Sequence, residues 1–339
     1  MRTRSLTIVL AIALFIMMLL ATGAGSTSVD PGMVLAALAG SWAEHLGLTP
    51  VDEGVQSIVR DLRLPRTILA ALVGASLAMV GALLQTATRN DLADPFLFGL
   101  SSGAAVGAVA VITITGERFG VWSLPLAAFS GGLVAAACVL LLAHRTAGLG
   151  AEKIVLAGLA ISFLFGSLTH AMVFAGDQRA AHSVLFWSLG GLGMARWNNL
   201  PLAATALIAL GSFVILRHRS LDALLAGDDT AHSLGVNPER LRRQVFIVAA
   251  LATACCVALT GVIGFIGLMV PHLARGRAGL LHAALVPASA LMGALLLLAS
   301  DILSRGLIAP QELPVGIVTG GIGAAFVIAM LLRRADGPH

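Results

Sequence analysis

Charged residues are scarce in this sequence of 339 residues. Only 11% are Asp, Glu, Lys or Arg, whereas a soluble globular domain carries about 25%. A chain this poor in charge cannot cover a water-facing surface, so we expect lipid to surround most of it. Hydrophobic residues make up 58% of the chain and run from end to end. The composition therefore favours one integral membrane domain over residues 1–339 rather than several soluble domains.

Tyrosine is missing altogether, and the apolar runs are continuous rather than alternating, with Ala and Leu dominant. An outer-membrane barrel would show alternation and an aromatic girdle, so these features predict an all-α polytopic membrane protein. Cysteine is also rare. Cys138, Cys255 and Cys256 lie in apolar segments, and no His or Cys cluster has metal-ligand spacing. We expect neither a structural disulfide nor a metal on this chain.

Enzymatic motifs are absent as well. The sequence has no phosphate-binding GxxxxGK(S/T) loop and no HExxH, and its single lysine, Lys153, stands in an unrelated context. We therefore expect no catalytic residue, no cofactor and no ATP bound by this chain. The centres of the apolar runs hold almost no ionisable side chains, unlike those of proton-driven carriers, so a partner is expected to supply the energy. The net charge of +4 does not indicate nucleic-acid binding.

Apolar runs of about spanning length recur along the chain, separated by short polar breaks. The eighth is too short for an ordinary crossing of about 20 residues, so we expect a half-length helix buried among its neighbours. The first follows Arg2 and Arg4 and is either a signal peptide or an uncleaved first span; its length favours a retained span. The predicted spans are 6–25, 67–87, 96–115, 122–143, 154–175, 199–216, 242–262, 264–274, 279–301 and 314–332.

The placement of arginine predicts the orientation. With a cytoplasmic N-terminus, 14 of the 21 Lys and Arg residues fall on the cytoplasmic side and seven, Arg118 among them, on the external side. This bias predicts that both termini are cytoplasmic. Residues 26–65 then form an external segment, 176–198 contribute a short external surface helix, and 217–241 form a polar cytoplasmic segment.

Several stretches resemble the FecCD-type permeases of ABC importers, which include ferric-siderophore, haem and cobalamin permeases. They stand in the family's order over about residues 60–333, and Asp91 stands where the family usually has proline. The stretches are LRLPR (62–66), RNDLADP (89–95), FWSLGGL (186–192), GDDTAHSLGV (227–236), GVIGFIGL (261–268), PHLAR (271–275) and ELPVG (312–316).

The resemblance implies a type II ABC importer permease fold of ten spans in the bacterial inner membrane. It also implies a homodimer assembled with two copies of an ABC ATPase and one periplasmic binding protein, and a ferric siderophore as the chelated iron compound that is carried. Haem or cobalamin is the alternative cargo within the family. An ion-coupled secondary transporter acting alone is the alternative from another class, and a membrane scaffold or receptor is a third.

Three external arginines are candidates for docking the binding protein. Arg63 and Arg66 flank Pro65, which suits a helix start, and we expect both to project outward together; Arg305 lies at the outer end of the ninth span. Guanidinium groups bind carboxylates bidentately, and the resemblance implies that these three meet glutamates of the binding protein. The alternatives are interfacial snorkelling for Arg63 and Arg66, and an i,i+4 pair with Asp301 for Arg305.

The cytoplasmic segment 220–236 is expected to form a short amphipathic helix that presses into a cleft of a soluble partner. The resemblance identifies it as the segment that seats on the ATPase, and a solvated loop is the alternative. The candidate coupling residues are Leu221, Leu224, Leu225, Gly227, Asp228, Ala231, Leu234 and Gly235.

Glycines spaced by three residues predict a helix break between the seventh and eighth spans, and Pro271 predicts a kink in the half-helix that follows. Glycines on one face of the tenth span allow close helix approach, and the resemblance implies that this face lines the translocation path. The candidate path and gate residues are Gln85, Gly261, Gly264, Gly267, Pro271, Pro314, Gly316 and Gly320. The expected mechanism is alternating access driven from segment 220–236.

Overall fold

The computed structural model describes residues 2–25, 29–116, 120, 122–145 and 150–335, and within these ranges the chain is helical and has no β-strand. An all-α fold is therefore confirmed. The α-helices, numbered in chain order, are α1 (Arg2–Gly23), α2 (Pro31–Ala39), α3 (Glu53–Ser57), α4 (Leu64–Thr88), α5 (Leu100–Ala110), α6 (Ser123–Arg145), α7 (Ala151–Ala175), α8 (Gln178–Ser188), α9 (Leu200–Leu225), α10 (Asp228–Ser233), α11 (Pro238–Thr260), α12 (Ile266–Ala278), α13 (His282–Gly306) and α14 (Val315–Ala335).

Eight of these helices are long and apolar enough to cross a membrane, judged over the described residues: α1, α4, α6, α7, α9, α11, α13 and α14. The other two predicted spans correspond to the shorter helices α5 and α12, and the short eighth span was expected. The third was predicted over residues 96–115, whereas the continuous helical stretch begins only at Leu100. Asp94 caps a separate 3-10 turn over Pro95–Phe98, and Gly99, with φ +75°, interrupts the chain before α5 begins.

Helix α4 forms the centre of the bundle. Every residue from Val73 to Thr88 is buried, and the helix packs against α9, α11, α12 and α13. Its contact with α13 is backbone to backbone, because a β-carbon on Gly74 would lie 2.4 Å from the carbonyl oxygen of Gly293. Small residues allow such close approach where lipid removes the hydrophobic drive for helix association. Helices α1, α7 and α14 instead expose most of their apolar length.

The bundle has two ends, which we name by one residue at each. The Arg66 end holds the start of α4, the end of α13 and helix α8; the Asp228 end holds α10, the end of α9 and the starts of α11 and α13. Helix α8 is the surface helix predicted within 176–198. The predicted external segment is described as α2, α3, two 3-10 turns (Gly40–Trp42 and Glu44–Leu46) and a π-helical turn over Ile58–Arg63. Its residues 26–28, and Arg118 further on, lie outside the described residues.

The segment 220–236 differs from its prediction. It is not one short amphipathic helix, because α9 continues unbroken to Leu225 and only Asp228–Ser233 form a separate helix, α10. Gly227, with φ +123°, makes the turn between the two helices. The apolar periodicity of residues 221–225 therefore belongs to the buried end of a spanning helix.

Candidate functional site

A buried ion network closes the Arg66 end. Arg66 of α4 donates from Nε to Asp301 Oδ1 at 2.9 Å and from Nη1 to Glu312 Oε2 at 2.7 Å. Arg305 lies 2.8 Å from the second carboxylate oxygen of Asp301, one turn earlier on α13. Asp301 is fully buried, whereas the Glu312 side chain is 43% exposed. The network thus joins α4, α13 and the loop before α14. Glu312 is the member of the network with the most exposed side chain.

The three arginines do not project outward as expected. Arg63 and Arg305 are only 8% and 3% exposed, and both turn towards the C-terminal carbonyls of α1. Arg63 donates to the carbonyl of Gly23 at 2.7 Å, and Arg305 donates to those of Ala21 and Ala24. The physical reason is that the last carbonyls of a helix lack partners within it and attract cations. The alternative pair between Arg305 and Asp301 is confirmed.

The predicted break between α11 and α12 is present at residues 261–265. The segment 186–192 packs directly against this break. The sequence had left the role of this segment unassigned. A β-carbon on Gly261 would lie 2.1 Å from the carbonyl oxygen of Trp187, and one on Gly316 would lie 2.1 Å from that of Leu189. Gly191 also donates its backbone N–H to the carbonyl of Thr260 at 2.7 Å. The break and the start of α14 therefore meet on one loop, with Pro314 half-buried just before α14.

A cavity of about 560 Å³ opens beside this junction. It is lined by Val111 and Ile112 in the π-helical turn Val111–Thr115 that follows α5, by α8 with Phe186 and Trp187, and by Thr260 and Gly261 at the end of α11. This volume falls in the range of roughly 300–1,000 Å³ that suits small-molecule ligands. Of the predicted path residues, only Gly261 lines this cavity. Gly320 on α14 faces open space, because a β-carbon added there would have no atom of another residue within 4 Å.

At the opposite side of the break, Gln85 fixes the first turn of α12. Its Nε2 donates to the carbonyls of Gly267 and Leu268 at 3.1 and 3.2 Å, and its Oε1 accepts from Arg275 Nη2 at 2.7 Å. Arg275 also pairs with Asp91 at 3.0 Å. Gln85 is 1% exposed, so it faces α12 rather than an open channel. Asp91 replaces the family's usual proline. Its ion pair with Arg275 links the loop after α4 to α12.

Asp94 lies against the same turn of α12. Its Oδ1 accepts from the backbone N–H of Phe96 at 2.9 Å, and its other oxygen would be 3.3 Å from a β-carbon on Gly267. Burial raises the pKa of Asp94 to about 6. Pro271 lies buried inside α12, and the β-position of Gly264 in the break is 3.5 Å from the Phe96 ring.

At the Asp228 end, one carboxylate ties α10 to two spanning helices. Arg242 of α11, almost fully buried, donates to both oxygens of Asp228 at 2.9 and 2.6 Å and to the carbonyl of Ala87 of α4 at 2.9 Å. Arg89 lies 3.7 Å from the same carboxylate. The hydrogen bonds from Arg242 lower the pKa of Asp228. Asp228 and Arg242 therefore link α10 to the ends of α4 and α11.

The candidate coupling residues divide into two groups. Leu221, Leu224 and Ala231 are fully buried against their own chain, which corrects the expectation that they press into a partner. Their burial follows from the continuation of α9 to Leu225, which is half-buried. The exposed surface of this segment is formed instead by the polar face of α10 and by Leu234 and Gly235 after it.

A second contact at this end was not predicted from the sequence. The ring of His282, the first residue of α13, lies 2.6 Å from Asp222 of α9 through Nδ1 and 2.7 Å from Thr86 of α4 through Nε2. Asp222 also accepts from the backbone N–H of His282. The only signal for this contact in the sequence was that Asp222 and His282 each stand at the end of an apolar run. Among the described residues, no group of three or more His, Cys, Asp or Glu side chains could hold a metal.

Comparisons with known proteins agree with this architecture. The profile of the FecCD transport family matches residues 12–333. The chain is 42% identical to the cobalamin import system permease protein BtuC of Halobacterium salinarum, over 84% of this chain and 76% of that protein. It is 37% identical to the hemin transport system permease protein HmuU of Yersinia pestis (85% and 87%). It is also 37% identical to the Fe(3+)-citrate import system permease protein YfmE of Bacillus subtilis (97% and 95%).

A solved structure has the same fold. A metal-chelate type ABC transporter, described in an inward-facing conformation, superimposes with a TM-score of 0.85 at 27% identity, covering 97% of this chain and 99% of that one. The relatives are permease subunits, which are components of transporters rather than enzymes. The family profile spans nearly the whole chain, and the helices it covers are those that form the network at Arg66, the break at Gly261 and the network at Asp228. The chain belongs to the FecCD transport family.

Proposed function

We propose that this chain is the membrane-spanning subunit of an ABC importer that carries a chelated iron compound of the ferric-siderophore class across the bacterial inner membrane. It acts as a homodimer with two ATPase subunits at the Asp228 end, which is cytoplasmic, and a periplasmic binding protein at the Arg66 end. Both termini are cytoplasmic. The chain itself binds no cofactor; ATP and magnesium belong to the ATPase.

The contact between Asp228 and Arg242 carries this proposal. It links an exposed six-residue helix to α4 and α11 through a bidentate ion pair and a bond to the carbonyl of Ala87. Helix α11 leads directly into the break at Gly261, and α4 contacts the other side of that break through Gln85. A push on α10 thus reaches the break from both sides, which is what alternating access powered by a separate ATPase requires.

The cargo class rests on the relatives. Their names specify iron citrate, haem and cobalamin, and the structural relative is described as a metal-chelate type transporter. These compounds share a metal enclosed by an organic chelator, so no metal ligand is needed on the permease. Ferric siderophores are our first choice, and cobalamin is the second because the 42% identical relative is named for it.

We infer that Arg66 is the arginine through which the binding protein docks. Arg63 and Arg305 both donate to carbonyls at the end of α1, whereas the second partner of Arg66 is the half-exposed Glu312. A carboxylate of the binding protein would take the position of Glu312 on the guanidinium group. Glu312 stands two residues before Pro314 and three before the start of α14, so its release would free the start of that helix.

Transport is tested with the purified chain, its ATPase and its binding protein in proteoliposomes. We expect ATP-dependent uptake of a ferric siderophore and no uptake without the ATPase. Preferred uptake of haem or cobalamin would change the proposed cargo but would still support an ABC importer. Uptake driven by an ion gradient without the ATPase would contradict the proposal and favour the ion-coupled carrier.

Docking is tested with Glu312→Gln, which leaves the buried pair of Arg66 and Asp301 in place. The variant removes the Glu312 charge that competes with the binding protein for Arg66. The affinity of the permease for the binding protein should rise by about fivefold, because a half-exposed ion pair such as that of Arg66 and Glu312 contributes up to about 1 kcal/mol. Glu44→Gln is the matched control, since Glu44 is exposed at the same end and has no contact with Arg66. Unchanged or weaker binding by Glu312→Gln would remove the docking role from Arg66.

A further inference from the structure

A groove lies between α9 and α11 at the Asp228 end, beside the coupling segment. Two cavities adjoin there, of about 240 and 310 Å³. The first is polar and is lined by Arg217 and Arg240, and the second is apolar and is lined by Phe213 and Ile247. Arg217 and Gln244 line both cavities. The two therefore form one continuous groove with a cationic half and an apolar half.

The cationic half is suited to an anion. Arg217 and Arg240 are both exposed, and none of the described residues that line either cavity is acidic. Helix α11 begins at Pro238 beside this half, and Gly235 and Asn237 are part of its lining. The positive end of the α11 dipole adds to the attraction that the two guanidinium groups exert.

The change from charged to apolar lining follows the depth of a lipid leaflet. Along α9, Phe213 lies four residues deeper than Arg217, and along α11, Ile247 lies seven residues deeper than Arg240. At 1.5 Å per residue these separations are about 6 and 10 Å. Interfacial helices bury their apolar face roughly 5–10 Å into the boundary between lipid headgroups and acyl chains. The groove thus presents charge at the headgroup level and apolar surface at the acyl level.

We propose that this groove binds one anionic phospholipid. The phosphate lies between Arg217 and Arg240, and an acyl chain lies along Phe213, Ile247 and Val248. Guanidinium groups favour a phosphate that carries net negative charge over a zwitterionic headgroup, and basic pockets between spanning helices bind such headgroups. An acidic segment of a partner protein would satisfy the arginines but would leave the apolar half, open to lipid beside the exposed Leu216, without an occupant. The site does not depend on the cargo or on the ATPase.

The test is native mass spectrometry of the detergent-purified chain titrated with phosphatidylglycerol or phosphatidylcholine. Each arginine near an anionic headgroup contributes about 1 kcal/mol. The double variant Arg217→Gln/Arg240→Gln should therefore bind phosphatidylglycerol about 30-fold more weakly. The matched control is Arg219→Gln/Arg243→Gln, which removes the same charge at the same end from exposed residues outside both cavities. We expect the control to bind like the wild type, and phosphatidylcholine to bind weakly to all three proteins.

A third variant, Val248→Trp, fills the apolar half without changing the charge. It should weaken phosphatidylglycerol binding even where the double variant fails to fold. An equal loss of phosphatidylglycerol affinity in the two double variants would mean that the lipid responds only to the total positive charge at this end, and would overturn the proposal. Unchanged lipid binding by Arg217→Gln/Arg240→Gln, with loss of assembly with the ATPase, would overturn it as well and would assign the arginines to a protein contact.

Discussion

Replacing Gly81 with alanine tests how α4 holds the half-helix α12. A β-carbon at residue 81 would lie 1.9 Å from the carbonyl oxygen of Gly267 and 2.5 Å from its Cα. Real β-carbons essentially never approach closer than 3.0 Å, so α4 and α12 would have to separate by about 1 Å. The opposing atoms belong to backbone that Gln85 anchors through the same carbonyl, and they cannot move aside as a flexible side chain would.

Two opposing effects set the magnitude. Alanine gains up to about 1 kcal/mol over glycine inside a helix. Inserting a methyl group into a filled contact costs typically 1–3 kcal/mol. We take the cost near the upper limit because both partners of the contact are backbone. The expected net destabilisation by Gly81→Ala is therefore about 1–2 kcal/mol.

The assay is thermal unfolding of the purified chain in detergent, with Gly211→Ala as the control. Gly211 lies in the middle of α9 and has no atom within 4 Å of its β-position. The control should therefore keep or raise the unfolding temperature, while Gly81→Ala lowers it by several degrees. If both variants unfolded at the same temperature, or if Gly81→Ala were the more stable, the contact between α4 and α12 would not be tight and the reasoning would fail.

Three other predictions concern the two ends and α14. Asp228→Asn should lower the unfolding temperature above about pH 5, because Arg242 lowers the folded-state pKa of Asp228 below its ordinary value; the difference from wild type should shrink only as the pH falls below about 4 and through that lowered pKa. Asp91→Pro should change stability by less than about 1 kcal/mol, since its pair with Arg275 is half-exposed, and should abolish the salt dependence of that contact in unfolding measurements. Gly320→Leu should reduce uptake in proteoliposomes without lowering the unfolding temperature, because the space beside it is open.

Much of the fold could be predicted because it depends on one-dimensional properties. Low charge and continuous apolar runs require spanning helices, since backbone polar groups in lipid must be satisfied within each helix. The short α12 followed from the length of its apolar run, and the break before it from the glycines between residues 261 and 267. The resemblance to the FecCD family also rested on the order of short stretches along the chain, and the comparisons confirm it.

The side-chain partners could not be predicted in this way. Arg63 and Arg305 looked like outward-facing cations, because nothing in their local sequence reveals that the carbonyls at the end of α1 lie within reach. Leu221 and Leu224 have the spacing of an amphipathic surface helix, and the same spacing serves the buried end of a spanning helix. A periodic pattern specifies which face is apolar but does not identify what covers that face.

The sequence by itself determined that the chain is helical, that it lies in lipid, that a break precedes α12 and which family it resembles. Each of these follows from composition or from residues close together along the chain. Only the tertiary structure decided that Arg66 meets Asp301 across 235 residues, that Gln85 holds the start of α12, and that segment 186–192 seats the break at Gly261. The physical reason is that ion pairs and backbone contacts act over a few ångströms in space, and the packing of the helices alone brings those atoms together.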